Sequence, residues 1–140
     1  LEGLKALGLA DESLLAPWYD HPSPDVRSAA IAAGDAVGNW SERLRAEGEE
    51  QVRLALIARL ARCGGAADVQ TLAALLADPS WRIRARAADA LVALAPHSHG
   101  GLHDALESSH TAVRVAAARA LQRLGREDRV LARFRISEPA

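Results

Sequence analysis

One phrase recurs four times along the chain: a branched apolar residue followed by arginine, at Val26-Arg27, Val52-Arg53, Ile83-Arg84 and Val113-Arg114. The arginines are separated by 26, 31 and 30 residues. Recurrence at that interval constrains the fold more than any local propensity, because a unit so short cannot bury its own apolar face and must stack on its neighbours.

The rest of the phrase keeps register. Four positions after the branched residue stand Ala30, Leu56, Ala87 and Ala117; eight after it, Gly34, Leu60, Leu91 and Leu121; eleven after it, Val37, Cys63, Leu94 and Leu124. Offsets of four, eight and eleven mark one face of a helix. Gly38, Gly64, Ala95 and Gly125 follow, small residues that suit a left-handed helix stop. Ser23-Pro24-Asp25 and Asp78-Pro79-Ser80 offer a capping oxygen with proline in the first turn. Shorter amphipathic stretches lie between the phrases: Leu14, Leu15 and Trp18; Trp40 and Leu44; Val69, Leu72, Leu75 and Leu76; Leu102, Ala105 and Leu106. Each reads as the first helix of a pair whose second helix is the phrase.

Composition agrees with helices. Of 140 residues 49% are hydrophobic but only 4% aromatic, so the core must be built of Ala, Leu and Val, which favours helix over strand. The 17 basic and 18 acidic residues nearly cancel, and no overall field draws the chain to nucleic acid or an anionic membrane. Cys63 is the only cysteine; it excludes an internal disulfide and fits a reducing, cytoplasmic compartment. No run approaches transmembrane length.

These residues resemble HEAT repeats, of the HEAT-like type found in bilin-lyase subunits and bacterial scaffold proteins, and the likeness covers nearly the whole chain. The resemblance implies an all-α fold, a right-handed α-solenoid of stacked antiparallel helix pairs. The expected repeats are 9–38, 39–64, 65–96 and 97–125, with a capping helix and tail at 126–140. Leu4-Lys5-Ala6-Leu7-Gly8 matches Leu121-Gln122-Arg123-Leu124-Gly125, so residues 1–8 read as the end of a preceding repeat and the chain as a piece of a longer bacterial protein.

In the family an Asp six residues before the arginine commonly forms a ladder with it. Here Asp78 before Arg84 keeps that pattern, whereas Glu47 precedes Arg53, His21 precedes Arg27 and Ser108 precedes Arg114. A structural ladder of Arg27, Arg53, Asp78, Arg84 and Arg114 at the joints between repeats is expected.

By resemblance the second helices line the concave surface. Offsets two, six and nine point away from the core at about 100° per residue: Ser28, Ala32 and Asp35; Leu54, Ala58 and Ala61; Ala85, Asp89 and Val92; Val115, Arg119 and Gln122. Of these, Asp35, Leu54, Ala58, Ala85, Asp89, Val92, Val115, Arg119 and Gln122 form the candidate partner-binding face. Apolar residues among opposite charges suit a protein or peptide partner, or another domain of the parent chain, better than phosphate, which needs repeated Lys and Arg.

Two other classes are weighed. Arg82, Arg84 and Arg86 beside Trp81, with Arg119 and Arg123, would be the means of binding nucleic acid, against a solvated helix start with a packed tryptophan. An accessory subunit of a lyase or other enzyme is the second. The histidines His97, His99, His103 and His110 cluster between the third and fourth repeats, but Gly100 and Gly101 are expected to break the helix that would align His99 with His103, and no metal or cofactor is assigned. No nucleophile motif or phosphate-binding glycine loop appears. Deoxyhypusine hydroxylases, which share the architecture, use repeated His-Glu pairs, and this sequence has no His-Glu dipeptide; HEAT-like alkylpurine DNA glycosylases present a basic groove that the outward row lacks. The expectation is a non-catalytic scaffold.

Overall fold

A computed structural model describes residues 12–137, with side-chain surroundings from 12 to 127. The expected end of a preceding repeat at 1–8 lies outside the described residues. Eight helices follow in order: α1 (Glu12–Leu15), α2 (Pro24–Ala33), α3 (Trp40–Ala46), α4 (Glu50–Cys63), α5 (Val69–Ala74), α6 (Trp81–Ala93), α7 (His99–Ala105) and α8 (Thr111–Ser137). Single 3-10 turns extend α1 at Ala16–Trp18 and flank α5 at Ala66–Asp68 and Leu75–Ala77. No strand occurs among the described residues.

Two layers result. Each second helix packs on the next, α2 on α4, α4 on α6 and α6 on α8, while α3, α5 and α7 pack on α4, α6 and α8 respectively. This is the stacked-pair arrangement of an all-helical solenoid. The repeating stripe supplies its core: Val52, Leu56 and Leu60 in α4, Ile83, Ala87 and Leu91 in α6, and Val113, Ala117 and Leu124 in α8 are buried. From the first helices Leu15, Trp40, Leu44, Leu72, Leu76 and Leu102 meet them. Alanine at the fourth position of the stripe lets helices approach closely, and close packing yields dispersion contacts throughout the layer.

Several boundaries differ from the sequence expectation. In the first repeat α2 ends at Ala33, and Gly34 caps it with extended backbone (φ −110°, ψ 164°). Val37 therefore falls in a loop and is 79% exposed. Leu14 and Trp18 are exposed as well; Tyr19 is buried in their stead. The expected proline in the first turn holds for Pro24, but α6 starts at Trp81, with Ser80 rather than Asp78 as its cap.

The left-handed stops do not occur. Gly64 caps α4 in extended backbone (φ −77°, ψ 175°), its N–H donating to the Leu60 carbonyl at 2.7 Å. Glycine is needed there for space, since a Cβ would lie 2.4 Å from the Leu60 oxygen. Gly64→Ala should cost about 1–3 kcal/mol, the usual scale for forced overpacking, read as a lowered midpoint in urea; an unchanged midpoint would show that the turn relaxes freely.

Gly125 does not end a helix either. α8 runs through it to Ser137, so the expected capping helix at 126–140 is the continuation of the same helix over the described part. One glycine costs only about 1 kcal/mol inside a helix, which a long helix tolerates. Gly100 and Gly101 are likewise inside α7. A Cβ on Gly101 would lie 2.6 Å from Val69 Cγ1, so this glycine serves the approach of α7 to α5.

Candidate functional site

Two of the four phrase arginines, Arg27 and Arg53, form joints between repeats. Arg27 donates through Nε and Nη2 to both carboxylate oxygens of Glu47, at 3.0 and 3.2 Å. Arg53 donates to Asp78 Oδ1 at 2.7 Å. Each rung links an arginine of one repeat to the acid that precedes the next arginine.

The acid position has a second duty. In all four repeats its side chain accepts the backbone N–H two residues on: His21 Nδ1 from Ser23, Glu47 from Glu49, Asp78 from Ser80 and Ser108 Oγ from His110, at 2.9–3.1 Å. Its carbonyl accepts from the arginine of the same repeat in three of them, from Arg27 at 2.8 Å, Arg84 at 2.7 Å and Arg114 at 2.6 Å. A residue with one acceptor atom can turn the chain; only a carboxylate can also bridge to the preceding repeat. Glu47 does both, so the departure from Asp at that position leaves the ladder intact. At Ser108 the carboxylate rungs stop: Arg84 bonds the carbonyls of Asp78 and Pro79, at 2.7 and 3.0 Å, and meets no carboxylate among the described residues within ion-pair distance.

Burial pushes the carboxyls of Glu47 and Asp78 up, but their hydrogen bonds outweigh it. Glu47 accepts from the Glu49 N–H and Arg27, Asp78 from Arg53 and the Ser80 N–H, and both sit below the ordinary carboxylate value.

The outward row separates into four parts. Ala58, Ala85, Asp89, Val115, Arg119 and Gln122 are exposed as expected. Leu54 is only half-exposed and packs on the core. Val92 is buried at 9% exposure, which removes it from the candidate face: α8 continues past Gly125, and its Leu124 and Glu127 border the space beside Val92. Asp35 lies in the loop after α2, ion-paired to Arg62 at 3.0 Å.

Four members of the row come together. Ala85 and Asp89 of α6 face Val115 and Arg119 of α8 across a groove of about 510 Å³, which Arg84 and Arg123 also border. Its floor is alanine, from Ala88, Ala112, Ala116 and Ala120. Arg123 donates to Asp89 at 2.8 Å. A second groove, of similar volume, is bordered by Tyr19, Arg27, Arg43 and Glu47, but there Arg27 is held by Glu47 and Arg43 by Asp20 at 2.9 Å.

The arginines proposed for nucleic acid are divided. Arg84, Arg119 and Arg123 meet at the groove, whereas Arg82 lies over the ring of Trp81, 5.6 Å from its centroid. Trp81, the first residue of α6, is 66% exposed rather than packed. His99 and His103 share α7 after all, yet no three His, Cys, Asp or Glu side chains converge on a metal position among the described residues.

Sequence reasoning passed over Arg59, which is fully buried. It lies seven after Val52, in a column otherwise filled by Ala33, Ala90 and Ala120. A single arginine in a core-facing column of alanines was the signal. Its Nη1 donates to Tyr19 Oη at 3.3 Å and the Ile31 carbonyl at 3.0 Å; its Nη2 donates to Glu12 and to the Ala36 carbonyl at 3.1 Å. The guanidinium lies 3.9 Å from the Trp40 ring centroid. Burial and the hydrogen bond to Glu12 push the Tyr19 hydroxyl up to about 12. Gly34 is needed beside this cluster, since a Cβ would meet Glu12 Oε1 at 2.3 Å and Arg59 Nη1 at 2.9 Å.

No helix among the described residues is long and apolar enough to cross a membrane. Neither the curated proteins nor the solved structures contain a match to this chain. Residues 69–98, which span α5, α6 and the turn after them, match the family model of the HEAT repeat, and the all-helical stack around them is consistent with a HEAT-like solenoid.

Proposed function

We propose that the protein is a non-catalytic scaffold that holds a partner protein, or another domain of its parent chain, against the outward face of its second helices. The observation that carries this reading is the α6–α8 groove, where an alanine floor and Val115, 42% exposed, lie between charged walls. A few apolar anchors among charges set affinity and register on a rigid surface, and stacked pairs hold such a surface without paying ordering entropy at binding. HEAT repeats commonly mediate protein interactions, which agrees with that use.

Ala85→Glu combined with Val115→Glu places two acids on the exposed side of the groove while leaving the buried stripe untouched. Affinity capture from the cells that make the protein should lose the wild-type partner set, with helical circular dichroism unchanged. An identical set from the variant and the wild type would remove the groove from the reading.

A further inference from the structure

The ladder itself indicates what the groove takes. Arg27 and Arg84 are held alike by their own repeats, each through Nη1 to the carbonyls six and five residues before it. Nε and Nη2 of Arg27 then grip the two oxygens of Glu47. For Arg84 the equivalent position is Ser108, whose single hydroxyl is already used as acceptor by the His110 N–H. The guanidinium fork is thus fixed in direction, presents donors suited to a carboxylate, and borders the α6–α8 groove.

The charges around it point the same way. Arg84 of α6 and Arg119 and Arg123 of α8 border the groove with a single acid, Asp89, which is paired with Arg123. Small residues at Ala85 and Ala88 leave room for a chain to lie close to α6.

We propose that the α6–α8 groove binds an acidic peptide segment of a partner protein, whose Asp or Glu pairs with Arg84 and so completes the third rung of the ladder, while small apolar residues beside it lie on the alanine floor. This rests on the scaffold reading above and names the chemistry of its partner.

The test uses short random peptides displayed and selected on the immobilised chain, followed by synthesis of the tightest binder and its Asp→Asn or Glu→Gln twin. The binder should carry an acid, and its twin should bind at least about tenfold more weakly. Ser108→Asp keeps the turn and supplies the rung from within; it should weaken the acidic peptide by a similar factor and raise the unfolding midpoint, while Ser108→Asn does neither. This variant gains an interaction, so its result does not depend on surviving the loss of Arg84.

Twin and parent peptides of equal affinity, or full affinity on Ser108→Asp, would overturn the acidic rung. If that binder is still lost on Ala85→Glu with Val115→Glu, the scaffold groove survives without it. Binders indifferent to all of these variants, or none selected, would overturn both. Salt-sensitive binding of an oligothymidylate, lost on Arg84→Gln and unaffected by acidic peptide, would assign the arginines to phosphate instead.

Discussion

Arg59→Ala should be the most damaging single substitution in the chain, lowering stability by about 3–5 kcal/mol, the range for removing one partner of a buried ion pair. The side chain crosses from α4 to four other segments: Glu12 in α1, Ile31 in α2, Ala36 in the following loop and Trp40 in α3. Its removal takes a donor from the Ile31 carbonyl and the cation from the Glu12 carboxylate, while the Ala36 carbonyl keeps the Trp40 indole N–H at 3.0 Å. Burial pushes the carboxyl of Glu12 up, yet the hydrogen bonds from Tyr19 and Arg59 hold it below the ordinary value. Arg59 also has a cost of its own, because its Nε is buried without a partner, and an unsatisfied donor forfeits about 1–3 kcal/mol. That cost limits the net gain but remains smaller than what four contacts and the Trp40 ring return.

Urea unfolding followed by circular dichroism would measure the loss. Arg59→Lys separates charge from shape: an ammonium keeps the cation at Glu12 but lacks the planar fork, and it should fall between wild type and alanine. A deficit for Arg59→Ala below about 1 kcal/mol, within the spread of ordinary substitutions, would mean that the cluster contributes little to stability.

The legible part of this fold is its periodicity. Buried positions at offsets zero, four, eight and eleven must be apolar whatever they touch, so one chain suffices to find the stripe, the pairing of helices and the joints. What the sequence hides depends on neighbours several turns away. Val92 sits on the outward side of its helix by angle, yet it is buried and borders a space shared with Leu124 and Glu127 of α8; the course of that helix depends on whether Gly125 stops it, and a glycine by itself does not decide that. Gly34 occupies a core offset in the first repeat, and its meaning came from Arg59, twenty-five residues later in the chain. Glu47 read as a departure from Asp, but the longer side chain reaches both the Glu49 N–H and Arg27. Of the candidate site, the residues on exposed turns of α6 and α8 were legible; their convergence into one groove with Arg84 was not, since it depends on how far apart the two helices stand.

The second large effect is expected at Asp78. It ends the side chain of Arg53 from the repeat before, turns the chain into α6 through the Ser80 N–H, and holds Arg84 by its carbonyl. Asp78→Ala should cost about 2–4 kcal/mol, a charged hydrogen bond plus a turn contact, and it strikes where the second and third repeats couple. Asp78→Asn removes the charge while leaving an acceptor for the turn, so it isolates the rung. Because the folded carboxyl lies below its ordinary value, the unfolded chain binds the proton at higher pH than the native state does. The contribution is therefore fully present above the unfolded value of about 4, and is lost as pH falls through the lower folded one. The gap between wild type and Asp78→Asn in urea should be wide at neutral pH and narrow as pH falls below the unfolded value and through the lower folded one, where the wild-type acid is itself becoming neutral. Glu47 and the other acids titrate in both proteins, so the difference between the curves reports Asp78 alone. A gap of the same width at both pH values would assign the effect of Asp78 to its shape in the turn and leave the ladder's charge without a role in holding the stack.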